Sequence, residues 1–298
     1  MKLVEKYITI LLLTAIGYAL KRCQGLERVW HGVSLILFYF SIPLTIFFST
    51  AEMLEIDTLL LAILLAFIHM VCVMAISFVL AAKLRGVWIT IAVLGSLPNS
   101  LFLALPLSEV VLNNVHSVIP HAIAFNGVLI LTIAILERFI DRRGGYNSVI
   151  RTLPYLLAFV LAMILRYLEL TSQILSLEVV TMVRHVVELV NLSAFMLLGA
   201  ELEAIKAVLR KEIVYVAILR YLVSPATLMA VLSIFPISLA SQTLILGMVI
   251  QSLMPPAIMC IPVSRLYNLD RELVALAIAI LTPISTLIAM AIPIVIRL

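Results

Sequence analysis

Proline with polar neighbours, deep inside long uncharged stretches, is where this chain first offers chemistry. Gly95-Ser96-Leu97-Pro98-Asn99-Ser100 begins nine residues after Gly86, and Gln251-Ser252-Leu253-Met254-Pro255-Pro256 repeats the composition in the second half. Pro98 has no N–H for the carbonyl of Leu94 and its ring opposes a continuing helix. A break there is predicted to leave carbonyls on one side and the N–H groups of Asn99, Ser100 and Leu101 on the other. Pro255 and Pro256 remove two successive donors and free the carbonyls of Gln251 and Ser252. A half-helix N-terminus carries about half a positive charge, so two of them meeting would attract an anion without a buried Lys or Arg. A carboxylate is the natural ligand. Either site alone reads more plainly as a transmembrane kink. Recurrence in both halves beside Ser, Asn and Gln favours binding, and makes Ser96, Pro98, Asn99, Ser100, Gln251, Ser252, Pro255 and Pro256 the candidate substrate contacts.

Other polar residues in apolar runs are fewer. His69, His121 and Asn126 are candidates for proton coupling, because histidine titrates near neutral pH; a neutral packing histidine is the favoured reading. Arg220, eight residues after Glu212, reads as an anchor that snorkels to the cytoplasmic interface. Arg184 and Glu188 have the spacing of an intrahelical pair. Cys23, Cys72 and Cys260 are far apart and read as packing residues, so no metal site and no cofactor is expected. Deep carboxylates are almost absent, which gives no support to a sodium site. No His-Glu-x-x-His, Gly-x-Ser-x-Gly, phosphate-loop or Cys-x-x-Cys motif is present, which argues against an enzyme.

The elements that must position these residues follow from composition. Of 298 residues 64% are apolar and 12% charged, with a mean hydropathy of +1.23. Soluble chains carry about 25% charged residues, so the fold class is an all-α integral membrane protein. With charges as punctuation, ten helices are expected at about 3–20, 29–51, 58–82, 86–108, 116–137, 150–168, 179–200, 212–234, 241–264 and 273–296. The uncharged run from Tyr221 to Ser264 is divided at Pro236-Ile237-Ser238. The apolar stretch ending at Lys21-Arg22 lacks a small-residue cleavage site and reads as a retained first helix. Fourteen of the twenty Lys and Arg fall in alternate loops, which predicts both termini on the outer side and turns the net charge of +4 into a topology signal. No nucleic acid is implied.

The polar connection Asp141-Arg142-Arg143-Gly144-Gly145-Tyr146-Asn147 divides the chain after the fifth helix, into repeats at 1–143 and 147–298. Five is odd, so equivalent halves must enter the membrane in opposite directions, the inverted-repeat arrangement of many secondary transporters. Each half opens on an uncharged run of fourteen residues, Tyr7 to Leu20 and Thr152 to Leu165. The fourth helix of each half holds two proline sites, Pro98 and Pro106 against Pro255-Pro256 and Pro262; Pro120 and Pro283 match in the fifth.

Along nearly its whole length the chain resembles the auxin efflux carrier family. The likeness rests on Gly17-Tyr18-Ala19-Leu20-Lys21-Arg22, Phe40-Ser41-Ile42-Pro43-Leu44, Asn99 to Leu107 with its Leu-Pro, Leu198-Gly199-Ala200-Glu201-Leu202, Leu219 to Pro225, and Met254-Pro255 followed by Tyr267 and Asp270. The resemblance implies the PIN-like, bile-acid-symporter fold: a scaffold at 1–51 and 150–200, and a transport domain at 58–137 and 212–298. In it the fourth and ninth helices cross at their prolines and hold a carboxylate, and a homodimer forms through scaffold helices. It also implies that Asn99 and the backbone at Pro98 and Pro255 touch substrate. Met259 stands where the family pattern often has Asn, which removes a polar contact and implies a more apolar or differently oriented substrate.

The function expected is therefore alternating-access movement of a small organic anion, auxin-like or malonate/malate-like, out of the cell across the plasma membrane, with lipid as the other partner. Two alternatives stay open: a sodium-coupled uptake carrier of the bile-acid symporter type, and a membrane receptor for a small acid that moves nothing.

Overall fold

A computed structural model describes residues 2–21, 26–51, 57–84, 86–100, 103–112, 114, 116–140, 146–201, 210–235 and 242–296. The turn expected at Pro236-Ile237-Ser238, the connection from Asp141 to Gly145, Cys23, Leu101, Phe102, Leu202 and the loop charges Arg22, Glu52, Glu55, Arg85 and Lys206 lie outside these residues. The described residues are all-α, joined by turns and short extended links, and two of those links meet in an isolated β-bridge.

The helices are α1 (Lys2–Leu20), α2 (Glu27–Ile36), α3 (Ile42–Ala51), α4 (Asp57–Ala81), α5 (Trp88–Ser96), α6 (Ala104–Leu112), α7 (Ile119–Phe139), α8 (Tyr146–Tyr167), α9 (Thr171–Leu175), α10 (Glu178–Glu201), α11 (Lys211–Ile218), α12 (Ser224–Ile234), α13 (Gln242–Ser252), α14 (Cys260–Leu266) and α15 (Arg271–Ile296). Among the described residues six continuous stretches are long and apolar enough to cross a membrane: Glu27–Phe48, Leu61–Ala81, Ile119–Phe139, Glu178–Ala200, Lys211–Ile234 and Arg271–Ile292. Shorter apolar helices run over Leu11–Leu20, Leu157–Tyr167 and Gln242–Ser252. Large apolar side chains such as Leu11, Val79, Leu189 and Leu287 point outward, as a hydrocarbon solvent allows.

Two of the long stretches change pitch. Leu37–Ser41 joins α2 to α3 and Leu219–Val223 joins α11 to α12 as single π turns, each closed by an N–H reaching five residues back, Ile42 to Leu37 and Ser224 to Leu219. In both, a proline stands two residues after the π turn, Pro43 and Pro225. A proline has no N–H for the carbonyl four residues earlier and crowds it, and widening the preceding turn relieves both problems without ending the helix.

Packing joins distant parts of the chain. Helix α1 lies along α10, and α3 lies along α8. The first contact is close because it is made through glycine: a Cβ on Gly17 would run into the Met196 carbonyl, and one on Gly199 into the Thr14 carbonyl. Small residues let helix backbones approach where no hydrophobic effect drives them together. Beside this contact Ser41 donates to Asn191 Oδ1 at 2.6 Å, and Asn191 Nδ2 donates to Thr45 Oγ1 at 3.1 Å. At one end of the molecule Arg210 binds Asp270 at 2.8 Å, while Asp270 caps α15 through the Leu273 N–H at 2.9 Å and its own N–H reaches Thr90 Oγ1 at 3.2 Å. Partial burial opposes the Arg210 charge, but the Asp270 hydrogen bond and the carboxylates of Asp270, Glu212 and Glu272 raise its pKa above the usual arginine value.

Glycine at the α1–α10 contact yields a direct test. Gly199→Ala is expected to cost about 1–3 kcal/mol by forcing two backbones apart. Gly32→Ala, where a Cβ meets nothing within 4 Å, is expected to be neutral or stabilising by up to about 1 kcal/mol. Thermal unfolding of the detergent-solubilised protein separates the two; equal midpoints would remove the close approach as a source of stability.

Candidate functional site

The segments predicted to break do break. Helix α5 stops at Ser96 and α6 resumes at Ala104; α13 stops at Ser252 and α14 resumes at Cys260. The two breaks meet. Pro98 and Pro256 sit opposite each other in an antiparallel bridge, with the Asn99 N–H donating to the Pro255 carbonyl at 2.8 Å and the Ala257 N–H to the Leu97 carbonyl at 2.7 Å. In this register the prolines occupy a pair that exchanges no hydrogen bond, so their missing N–H groups cost nothing. Their neighbours supply both donors.

The pairing corrects one expectation. The N–H groups of Asn99 and Ser100 are not held open for a ligand: Asn99 is spent on the bridge and Ser100 donates to the Pro98 carbonyl at 2.8 Å. Likewise the Gln251 carbonyl accepts the Met254 N–H at 3.2 Å. The cause is general, since a backbone group left without a partner in hydrocarbon costs several kcal/mol, and two broken helices in contact can satisfy each other.

A second correction concerns Arg220. It does not snorkel: it is 1% exposed, and it is the tenth residue of its stretch, about 14 Å along the helix from Lys211. It lies in the π turn, and its guanidinium reaches both broken helices, donating from Nε to the Met254 carbonyl at 2.8 Å and from Nη1 to the Gly95 carbonyl at 2.9 Å. One planar fork thus terminates α5 and the end of α13 together. Nη2 is buried and has no hydrogen-bond partner. A buried guanidinium lacking a counter-charge is costly, and an anion beside Nη2 would supply it. The signal for Arg220 was present in the proline five residues later, which marks a turn whose pitch, and therefore whose inward face, departs from the regular helix.

The remaining candidates divide into those with free polar atoms and those without. Gln251 donates from Nε2 to the carbonyls of Ser100 and Val118, both at 3.1 Å, so its Oε1 is oriented away and has no partner. The Ser100 hydroxyl is also buried without a partner. Ser96 and Ser252 turn their hydroxyls back onto their own helices, to the Ala92 carbonyl at 2.6 Å and the Val249 carbonyl at 2.7 Å. Asn99, Pro98, Pro255 and Pro256 are buried at the bridge, and Met259 is buried in the core at the entry to α14.

His69 on α4 and His121 on α7 meet, Nδ1 to Nε2 at 3.1 Å, and His69 Nε2 lies 2.9 Å from the Ser224 carbonyl. His121 is fully buried, and Asn126 is buried farther along α7. Arg184 lies over the Phe48 ring at 5.4 Å, and Glu188 accepts His185 at 3.4 Å. A shallow apolar groove of about 530 Å³ between α4 and α12, bordered by Cys72, Ile76, Leu222 and Ala226, includes none of the bridge residues.

No family model and no curated protein matches the chain. What its residues do with a ligand must therefore be read from the crossing itself: a buried cation, a buried hydroxyl and a buried amide oxygen around two paired breaks.

Arg220→Met tests the structural half of this arrangement. It removes two charge-assisted hydrogen bonds, about 1.5–3 kcal/mol each, and leaves the Gly95 and Met254 carbonyls without donors. Loss of the bonds is expected to outweigh relief of the buried charge and to lower the unfolding temperature by several degrees. A raised midpoint would show that the guanidinium is held at a net cost, and an unchanged one that its bonds only offset its burial.

Proposed function

We propose that the chain is a secondary carrier of a small organic anion, with a carboxylate held at the crossing of α5–α6 and α13–α14 and moved by alternating access. The observation that carries this reading is Arg220: a fully buried guanidinium, bonded only to backbone carbonyls among the described residues, with Nη2 unpartnered beside two helix breaks. An ionisable side chain deep in a membrane protein marks a ligand or ion pathway by default, and paired breaks in two halves are the usual place of a transporter's site.

Several features support the wider reading. Packing of α1 on α10 and of α3 on α8 is the pair of contacts that two inverted five-helix repeats, at 1–143 and 147–298, would make equivalent. On that basis the chain crosses the plasma membrane ten times with both termini outside, has its scaffold at 1–51 and 150–200, and is similar to the auxin efflux carriers. Asn99, Ser100 and Gln251 line the ligand's surroundings, and Arg220 replaces free backbone N–H groups as the chief source of positive charge. Met259 keeps the second half apolar, which favours a monocarboxylate with an apolar body over a dicarboxylate.

Purified protein in liposomes, preloaded with unlabelled acid and given radiolabelled indole-3-acetate or malonate at equal pH on both sides, tests the proposal. Saturable counterflow is expected, larger for indole-3-acetate, and Arg220→Gln is expected to reduce it at least about tenfold, the loss of one charge-assisted contact. A wild-type protein that exchanges neither acid, or an Arg220→Gln variant that exchanges as well as wild type, would sink this assignment.

A further inference from the structure

The His69–His121 pair has a direction. A carbonyl oxygen only accepts, so the 2.9 Å contact with the Ser224 carbonyl requires the proton of His69 to be on Nε2; the Ser224 hydroxyl, at 3.4 Å from the same nitrogen, is the weaker partner. Neutral His69 then presents a lone pair at Nδ1, and His121 Nε2, 3.1 Å away, must donate to it. That leaves His121 Nδ1 as a bare lone pair, fully buried and without a hydrogen-bond partner. The row of groups runs from a carbonyl that cannot release a proton to a nitrogen that can take one. It is a terminal store and not a wire.

This store adjoins the crossing. Ser224 stands four residues after Arg220, one turn along the same helix, and Val118, one turn before His121, accepts the Gln251 amide. The charged and titratable groups acting on His121 are His69 from α4 and Arg220 from the π turn before α12, and among the described residues no other charge does so. Through Val118, α13 brings only the neutral Gln251. Glu137, on α7 itself, is sixteen residues or about 24 Å away.

We propose that His121 Nδ1 is the site of a co-transported proton, shared with His69 and taken up together with the anion; this rests on the carrier reading above. A proton from water adds to the Nδ1 lone pair and makes an imidazolium, with no bond broken but that of the donor hydronium. In the empty site the new charge faces Arg220 and is opposed. A carboxylate beside Arg220 removes that opposition, and by reciprocity the proton strengthens binding of the carboxylate. The sign follows: affinity for the anion rises as pH falls, with a limit of about tenfold per pH unit for one linked proton.

The test uses the full chain in liposomes with radiolabelled indole-3-acetate and malonate, and a trapped pH-sensitive dye. Expected are accumulation driven by an acid exterior, abolished by a protonophore, internal acidification in step with uptake, and the pH-dependent affinity just stated. His121→Gln keeps an N–H for His69 but has no titratable lone pair, and is expected to lose accumulation, acidification and pH dependence alike. Nitrogen-15 spectra of the histidines in wild-type protein make the assignment independent of any variant. Both imidazoles should carry the proton on Nε2 in the absence of anion, and malonate or indole-3-acetate at saturation should convert one to imidazolium. Counterflow at equal pH without pH dependence or proton movement overturns the coupling and leaves the carrier reading standing. Absence of any counterflow removes both. A proton found on His121 Nδ1 in the empty protein also overturns it.

Discussion

Backbone groups cannot be left unpaired in hydrocarbon, and the architecture around the crossing is a response to that rule. Two helices are interrupted, which exposes carbonyls and N–H groups in the buried interior of the bundle. The two extended segments answer most of the demand by pairing with each other. Arg220 supplies donors to two further carbonyls, because a guanidinium offers five donors in a plane and can close two helix ends at once. A lysine at the same place would have no fork to span them. The residual N–H of that fork is the surplus from which a ligand site can be made.

Much of this was legible in the sequence, and the reason is that proline's effects belong to the residue. Pro98 and Pro255-Pro256 lack a donor wherever they stand, so the breaks could be placed, and charge spacing bounded most helices to within a few residues of where they lie. What the breaks would do next was not local information. Free N–H groups were the natural inference from one helix viewed alone, but each break has a neighbour. Arg220 was misjudged for a related reason. Whether an arginine snorkels depends on which face of the helix it occupies, and a π turn inserts a residue that rotates that face by about 100°. The histidines are 52 positions apart, and only the packing of α4 on α7 brings them together.

The site is electrostatically lopsided in a way that composition conceals. Most of the 20 basic residues stand in the connections or in the end turns of helices, whereas Arg220 is buried midway along its stretch. Burying one cation without a carboxylate keeps that position dependent on something other than the protein's own side chains. The other unpartnered polar atoms on the two breaks, Ser100 Oγ and Gln251 Oε1, are neutral and add polarity without cancelling the charge.

Two prolines face each other in the one alignment where neither is asked for a proton. Shifting either strand by a single position would set a proline where Asn99 or Ala257 now donates, and would cost a bond in surroundings that offer no substitute. The crossing is thus tolerant of changes in side-chain identity but not of changes in length. An insertion or deletion within Leu97–Asn99 or Pro255–Ala257, of a kind that surface loops absorb readily, would break this register. The length of these two short stretches is thereby fixed more strictly than the identity of the side chains they carry.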